Sequence, residues 1–165
     1  VRFRGEFLAA HAIRRLRPQV GSLLVNANRH LDTYRGFGAP VVPDELPGFA
    51  GPLAGLASAM RHAQTDWVVT VPYNSPLFPA DLVERLGQAV ARDGAAGAVA
   101  RAAGREQPVF LMARRDLLED LTRFLASGQG KIDRWYHTWR PAVAAFEDEA
   151  AFRNINTLDE LRALE

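Results

Sequence analysis

Several short stretches of this chain place amides or a carboxylate just where an apolar run stops. Asn26-Ala27-Asn28-Arg29 follows Ser22-Leu23-Leu24-Val25, and Asp44 closes Ala39-Pro40-Val41-Val42-Pro43. Asn74 follows Trp67-Val68-Val69-Thr70-Val71 and is held between Pro72 and Pro76. Asn154 and Asn156 flank Ile155 just ahead of Thr157. Paired amides suit the reading of a base edge or a ribose, because each offers a donor and an acceptor. They also serve as ordinary turn residues, since Asn satisfies its own backbone there. Asp44 has the same two readings: an acceptor for a guanine or hydroxyl donor, or a turn residue. Asn74 is the most pointed of the set. Magnesium-assisted phosphoryl transfer normally uses carboxylates at such a place, because this small hard ion favours charged oxygen ligands, and Asn74 supplies a neutral one. A structural turn and the relic of a lost metal site remain open beside a working metal position. A period-two segment sends alternate side chains the same way, so Asn154 and Asn156 can face one cleft, although a plain polar connection ending in Thr157 is the alternative.

Other candidates carry less. Gly48-Phe49-Ala50-Gly51-Pro52-Leu53-Ala54-Gly55 brings small residues to a helix start, where a backbone can approach an anion. A tight turn with close helix–sheet packing explains the same glycines better. Lys131 is the only lysine, so any step that needs a flexible ammonium on a phosphate has one candidate among these residues. His11, His30, His62 and His137 show no metal-ligand spacing and read as solvated. The absence of cysteine excludes disulfides, thiolate catalysis and cysteine-ligated metal. A net charge of +1 gives no field that argues for nucleic-acid or membrane binding, which leaves small molecules as the expected partners. No apolar run approaches the roughly 18 residues of a membrane span, and no secretory leader pattern opens the chain, so a cytoplasmic protein is expected.

The elements that must position these residues read as follows. Leu8, Ala9, Ala12, Ile13 and Leu16 recur at helical spacing up to Pro18. Strands are predicted over residues 22–26, 39–44 and 67–71, the last being the most apolar and expected to be central. Helices are predicted on Leu53, Leu56, Ala57 and Met60, and on Leu82, Leu86 and Val90 with Pro79 in the first turn and an end near Gly94. Residues 95–102 and 107–112 read as two strands in succession, which breaks the strand–helix alternation. Leu117, Leu118, Leu121 and Leu125 mark a helix ending at Ser127-Gly128-Gln129-Gly130, and Ile132, Trp135 and Tyr136 a shorter one. Thr157 and Glu160 have capping-box spacing for a last helix. With 165 residues and 48% hydrophobic composition, this makes one α/β domain: three layers, a mostly parallel sheet with helices on both faces. Ligands bind beyond the carboxyl ends of such strands, where Asn26, Asn28, Asp44 and Asn74 should meet.

Taken in order, these pieces resemble the molybdenum cofactor guanylyltransferases, the MobA family, a Rossmann-like nucleotidyltransferase fold. The match runs through Val25-Asn26-Ala27-Asn28-Arg29, Val42-Pro43-Asp44, Gly51-Pro52-Leu53-Ala54-Gly55-Leu56 and Val71-Pro72-Tyr73-Asn74-Ser75-Pro76-Leu77-Phe78-Pro79. It continues through Gln107-Pro108-Val109-Phe110 to Asn154-Ile155-Asn156-Thr157-Leu158-Asp159-Glu160-Leu161. The resemblance implies transfer of a guanylyl group from Mg-GTP to the phosphate of molybdenum-bearing molybdopterin, releasing pyrophosphate and forming the guanine dinucleotide cofactor. It implies that Asn26 and Asp44 contact the nucleotide, that Asn74 takes the nucleotide-side and Mg2+ position, and that Asn154, Asn156 and Lys131 serve molybdopterin. Other molybdenum cofactor biosynthesis proteins and molybdoenzyme chaperones are the implied protein partners.

Two departures from the family pattern bear on competence. Members begin with a strand and a glycine-rich loop, Leu-Ala-Gly-Gly and then Arg-Met-Gly-Gly with an Asp-Lys pair, that grips the triphosphate. Here Val1-Arg2-Phe3-Arg4-Gly5-Glu6 corresponds to the segment after that loop, so residues 1–165 are expected to form a single nucleotidyltransferase domain without that strand and phosphate loop. The family aspartate is also Asn74 here, which implies weak magnesium binding and an enzyme weakly active or inactive as it stands. The alternatives are a non-catalytic molybdopterin-binding relative and a sister nucleotidyltransferase using CTP or acting on a sugar phosphate.

Overall fold

The computed structural model describes residues 2–46, 48 and 51–164. The chain opens with a hairpin of β1 (Arg2–Phe3) and β2 (Glu6–Phe7), followed by α1 (Leu8–Leu16). β3 (Val25–Asn26), α2 (Leu31–Arg35) and β4 (Val41–Val42) form the next unit, in which β3 and β4 pair in parallel. α3 (Pro52–His62) leads to β5 (Trp67–Thr70), and α4 (Leu82–Asp93) to β6 (Gly97–Ala102) and β7 (Arg105–Arg114). α5 (Leu118–Ala126), α6 (Ile132–His137), β8 (Ala142–Phe146) and α7 (Leu158–Arg162) complete it.

The main sheet has the order β5-β7-β6-β8. β7 is antiparallel to both β5 and β6, while β8 is parallel to β6. Three strands therefore run one way and β7 the other, as the succession of β6 and β7 without a helix between them requires. The side-chain period of two divides the core into two layers. Ala98, Ala100, Ala102, Phe110 and Met112 pack with Leu82, Leu86 and Ala89 of α4 on one face. Val99, Leu111 and Ala113 pack on the other with Leu53, Leu56 and Met60 of α3, Leu121 and Leu125 of α5, and Trp135 and Tyr136 of α6. Each fully buried large side chain among these contributes about 1.5–3 kcal/mol of transfer free energy. A smaller cluster of Phe3, Leu8, Ile155 and Leu161 fastens the opening hairpin to the segment ahead of α7.

Three expectations change in detail. β5 is not central: it stands at the end of the hydrogen-bonded order, and Val68, Val69 and Thr70 are only half-buried. Its second edge borders a cavity of about 450 Å³, whose far wall includes Leu23, Leu24 and Val25. The extended stretches before Asn26 and Asp44 contain only two strand residues apiece, because among the described residues β3 and β4 pair with each other alone. Pro79 precedes α4 instead of opening it; its carbonyl accepts from the Leu82 amide at 3.1 Å. The other end of α4 is as read, with Gly94 at φ 62°, a left-handed cap that glycine takes without strain.

Candidate functional site

One corner of the site is built where β3 and β4 end. Asn26 Nδ2 donates to the Val42 carbonyl at 3.1 Å and to Asp44 Oδ1 at 2.9 Å. Asn28 Nδ2 donates to Asp44 Oδ2 at 2.9 Å, and the Asp44 amide returns a bond to Asn28 Oδ1 at 2.8 Å. The three residues interlock, so Asp44 is more than a turn residue: each of its oxygens orients one amide. Gly55 in the first turns of α3 lets that helix approach. A methyl group there would sit 2.4 Å from Asn26 Oδ1, so Gly55 serves close packing against Asn26. The sequence candidate for an anion-binding turn, Gly48 to Gly55, includes residues 49 and 50, which lie outside the described residues.

The second corner follows β5. Asn74 Nδ2 donates to Asn156 Oδ1 at 2.7 Å, Ser75 Oγ to Asn154 Oδ1 at 2.5 Å, and the Ile155 amide to the Asn74 carbonyl at 2.9 Å. Ile155 is buried between the two exposed asparagines, which accounts for the alternation of polar and apolar residues there. α7 fixes this strap from behind. Its capping box is complete, and Glu160 Oε2 accepts from the amides of Asn156 at 2.7 Å and Thr157 at 3.0 Å. Those two backbone donors hold the Glu160 carboxyl below its ordinary range. Ser75, fully buried and bonded to Asn154, is the residue of this corner that spacing alone passed over; its only sequence signal is its place between Asn74 and Pro76.

Asn26, Tyr73, Asn74 and Asn154 all line the 450 Å³ cavity between β3 and β5, so residues far apart in the chain converge as expected. Asp44 joins them through Asn26, and Asn156 through Asn74. Lys131 does not join: it is exposed ahead of α6, lines neither cavity found beside these residues, and its side chain makes no hydrogen bond among the described residues. A second cavity of about 560 Å³ opens on the other side of Asn154, bounded by Arg105, Glu106, Gln107, Glu149 and Arg153.

His30, His62 and His137 are exposed, as read, while His11 is mostly buried. His11 Nε2 lies 2.8 Å from the Phe3 carbonyl, His62 meets Glu45, and His137 Nε2 sits 3.1 Å from Glu106. Their partners are local carbonyls and single carboxylates, not one another. Among the described residues, no group of three or more His, Asp or Glu side chains is placed to hold a metal ion. Around Asn74 the donors are neutral amides and a hydroxyl, a set that does not fit magnesium as an ion held by the protein. No helix of the described residues is long and apolar enough to cross a membrane.

Residues 1–143 match the model of the MobA-like NTP transferase domain. The molybdenum cofactor guanylyltransferase of Acidovorax ebreus is 49% identical over 177 residues, covering 99% of this chain and 84% of that protein. The chain belongs to the molybdenum cofactor guanylyltransferase family. The enzyme of that name from Bordetella pertussis is 48% identical, with 99% of this chain and 85% of that protein covered. Solved structures agree on the nucleotidyltransferase fold of this guanylyltransferase family member. Molybdopterin-guanine dinucleotide biosynthesis protein A of Archaeoglobus fulgidus superposes with a TM-score of 0.76 at 19% identity, covering 99% of this chain and 86% of that one. The 2-C-methyl-D-erythritol 4-phosphate cytidylyltransferase of Thermus thermophilus superposes with a TM-score of 0.73 at 20% identity, covering 98% and 89%.

Proposed function

We propose that this chain transfers a guanylyl group from GTP to the terminal phosphate of molybdenum-bearing molybdopterin, forming the molybdopterin guanine dinucleotide. The observation that carries this reading is the convergence of Asn26, Asn74 and Asn154 on one cavity in a chain of this family. An acceptor phosphate oxygen attacks the α-phosphorus in line, the bond from that phosphorus to the bridging β-phosphate oxygen breaks, and pyrophosphate leaves. The protein contributes positioning and hydrogen bonding. Asn26, locked by Asp44, meets the guanine nucleotide. Asn154 and Asn156 direct their Nδ2 donors, unpaired among the described residues, to the acceptor, while Lys131 stands outside both cavities.

Magnesium belongs here to the substrate, arriving on the GTP triphosphate. Asn74 offers it a neutral oxygen in place of a carboxylate, which supports slow turnover as the chain stands. That neutral position also favours a second reading, a relative that binds molybdopterin without catalysis. We place the reaction in the cytoplasm, with molybdenum cofactor biosynthesis proteins and molybdoenzyme chaperones as the partners that supply and receive the cofactor. The test is pyrophosphate release by the full-length protein given Mg-GTP and molybdopterin. Product formation supports the enzyme; tight molybdopterin binding without product supports the binder.

A further inference from the structure

The 560 Å³ cavity has a feature that guanylyl transfer itself does not use. Glu106 lines it with its carboxylate already fixed: Tyr136 Oη donates to Oε2 at 2.7 Å, and His137 Nε2 lies 3.1 Å from both oxygens. Tyr136 is completely buried, and burial followed by the bond to Glu106 raises its hydroxyl far above the usual range, so it remains a donor. The Glu106 side chain is 32% exposed, which leaves lone pairs available on the cavity side. Glu149, the other carboxylate there, has no such anchor: neither an ion pair nor a side-chain hydrogen bond fixes it among the described residues. Arg105 and Arg153 border the same space, and among the described residues neither guanidinium has a carboxylate within ion-pair distance.

The cavity touches Asn154, which also lines the cleft beside Asn74, so one ligand can extend from the reacting phosphate into it. Its volume lies within the usual range for small-molecule sites, roughly 300–1,000 Å³. A pterin ring presents two adjacent donors, N3–H and the 2-amino group, on one edge. A carboxylate accepts both at once, and a preorganised one does so without reordering its own side chain. We infer that Glu106 is the specificity-determining residue that reads the pterin edge of the acceptor, with Tyr136 and His137 as its positioning residues and Arg105 and Arg153 facing the anionic dithiolene end. The inference rests on the guanylyl-transfer reading for the identity of the acceptor.

The experiment compares the full-length protein with Glu106→Gln in fluorescence titrations with 6-hydroxymethylpterin and with lumazine, whose 2-oxo group replaces the 2-amino donor by an acceptor. The unsubstituted protein should bind the pterin at least tenfold more tightly. Glu106→Gln, offering one acceptor and one donor, should lose or reverse that preference, and Tyr136→Phe should weaken pterin binding while leaving GTP binding unchanged. In turnover, Glu106→Gln should raise the KM for molybdopterin at least tenfold with kcat and the KM for GTP little altered. Equal binding of the two probes by the unsubstituted protein, no binding of either, or a proportionate loss of both in Glu106→Gln overturns the assignment. Absence of guanylyl transfer would instead remove the reaction and leave the probe titrations to judge Glu106 separately.

Discussion

Asn74 and Asn156 clasp each other beside the cleft, with Nδ2 of Asn74 donating to Oδ1 of Asn156 over 2.7 Å. The contact joins the end of β5 to the strap ahead of α7, and it is made by two neutral groups where a carboxylate would attract an ion. The same geometry accepts a carboxylate at position 74 if the Asn156 amide turns over and donates.

Asn74→Asp therefore keeps the clasp and adds a charged ligand. The half-saturating magnesium concentration for turnover should fall by on the order of tenfold, with a rise in kcat, since ligand charge tunes affinity for hard cations. A magnesium titration of pyrophosphate release checks it; an unchanged magnesium dependence means that position 74 does not face the ion.

Gly55→Ala should cost about 1–3 kcal/mol, the usual range for forcing a group into a packed site. The added methyl would meet Asn26 Oδ1, so Asn26 must leave its bonds to Val42 and Asp44. Thermal denaturation reads the stability loss, and calorimetry should find GTP binding weakened while molybdopterin binding is kept.

Asp44→Ala removes the acceptor shared by Asn26 and Asn28. Each lost bond is worth about 0.5–1.5 kcal/mol. The sharper consequence is lost order in the base-reading amides, so the preference for GTP over ATP should narrow in competition binding, more than total nucleotide affinity falls.

Acid should loosen the strap. The folded-state pKa of Glu160 is depressed by the Asn156 and Thr157 amides, so its stabilising effect is present above its ordinary value of 4.5 and is lost as the pH falls through the lower folded value. The gap in melting temperature between the unsubstituted protein and Glu160→Gln should be open at neutral pH and close below pH 4.5. A gap that is constant with pH contradicts the role of the ionised carboxylate.

Much of this arrangement was legible in the sequence, because local rules decide it. Leu82 and Leu86 on the inner face of α4, the Gly94 cap and the Thr157–Glu160 capping box depend on residues a few positions apart and occur as read, although Ala89 and not Val90 is the next buried residue of the stripe. The grouping of Asn26 with Asp44 followed from the rule that places ligands beyond strand ends. What escaped notice depends on distant partners. The composition of β5 marks it as apolar, but edge or centre is set by what pairs on each side, and among the described residues only β7 does. β8, Ala-Val-Ala-Ala-Phe, has too little periodicity to stand out, yet its parallel pairing with β6 completes the sheet. Nothing beside Glu106 in the sequence marks it, because Tyr136, which fixes it, lies 30 positions away.

The central claim is tested most directly by supplying the full-length protein with molybdenum-bearing molybdopterin, magnesium and, in separate reactions, GTP, CTP or ATP, then following pyrophosphate and the dinucleotide product. The account predicts molybdopterin guanine dinucleotide and an equal amount of pyrophosphate with GTP, and little of either with the other two. Equal product from CTP, or no product from any nucleotide while molybdopterin binds, would contradict it.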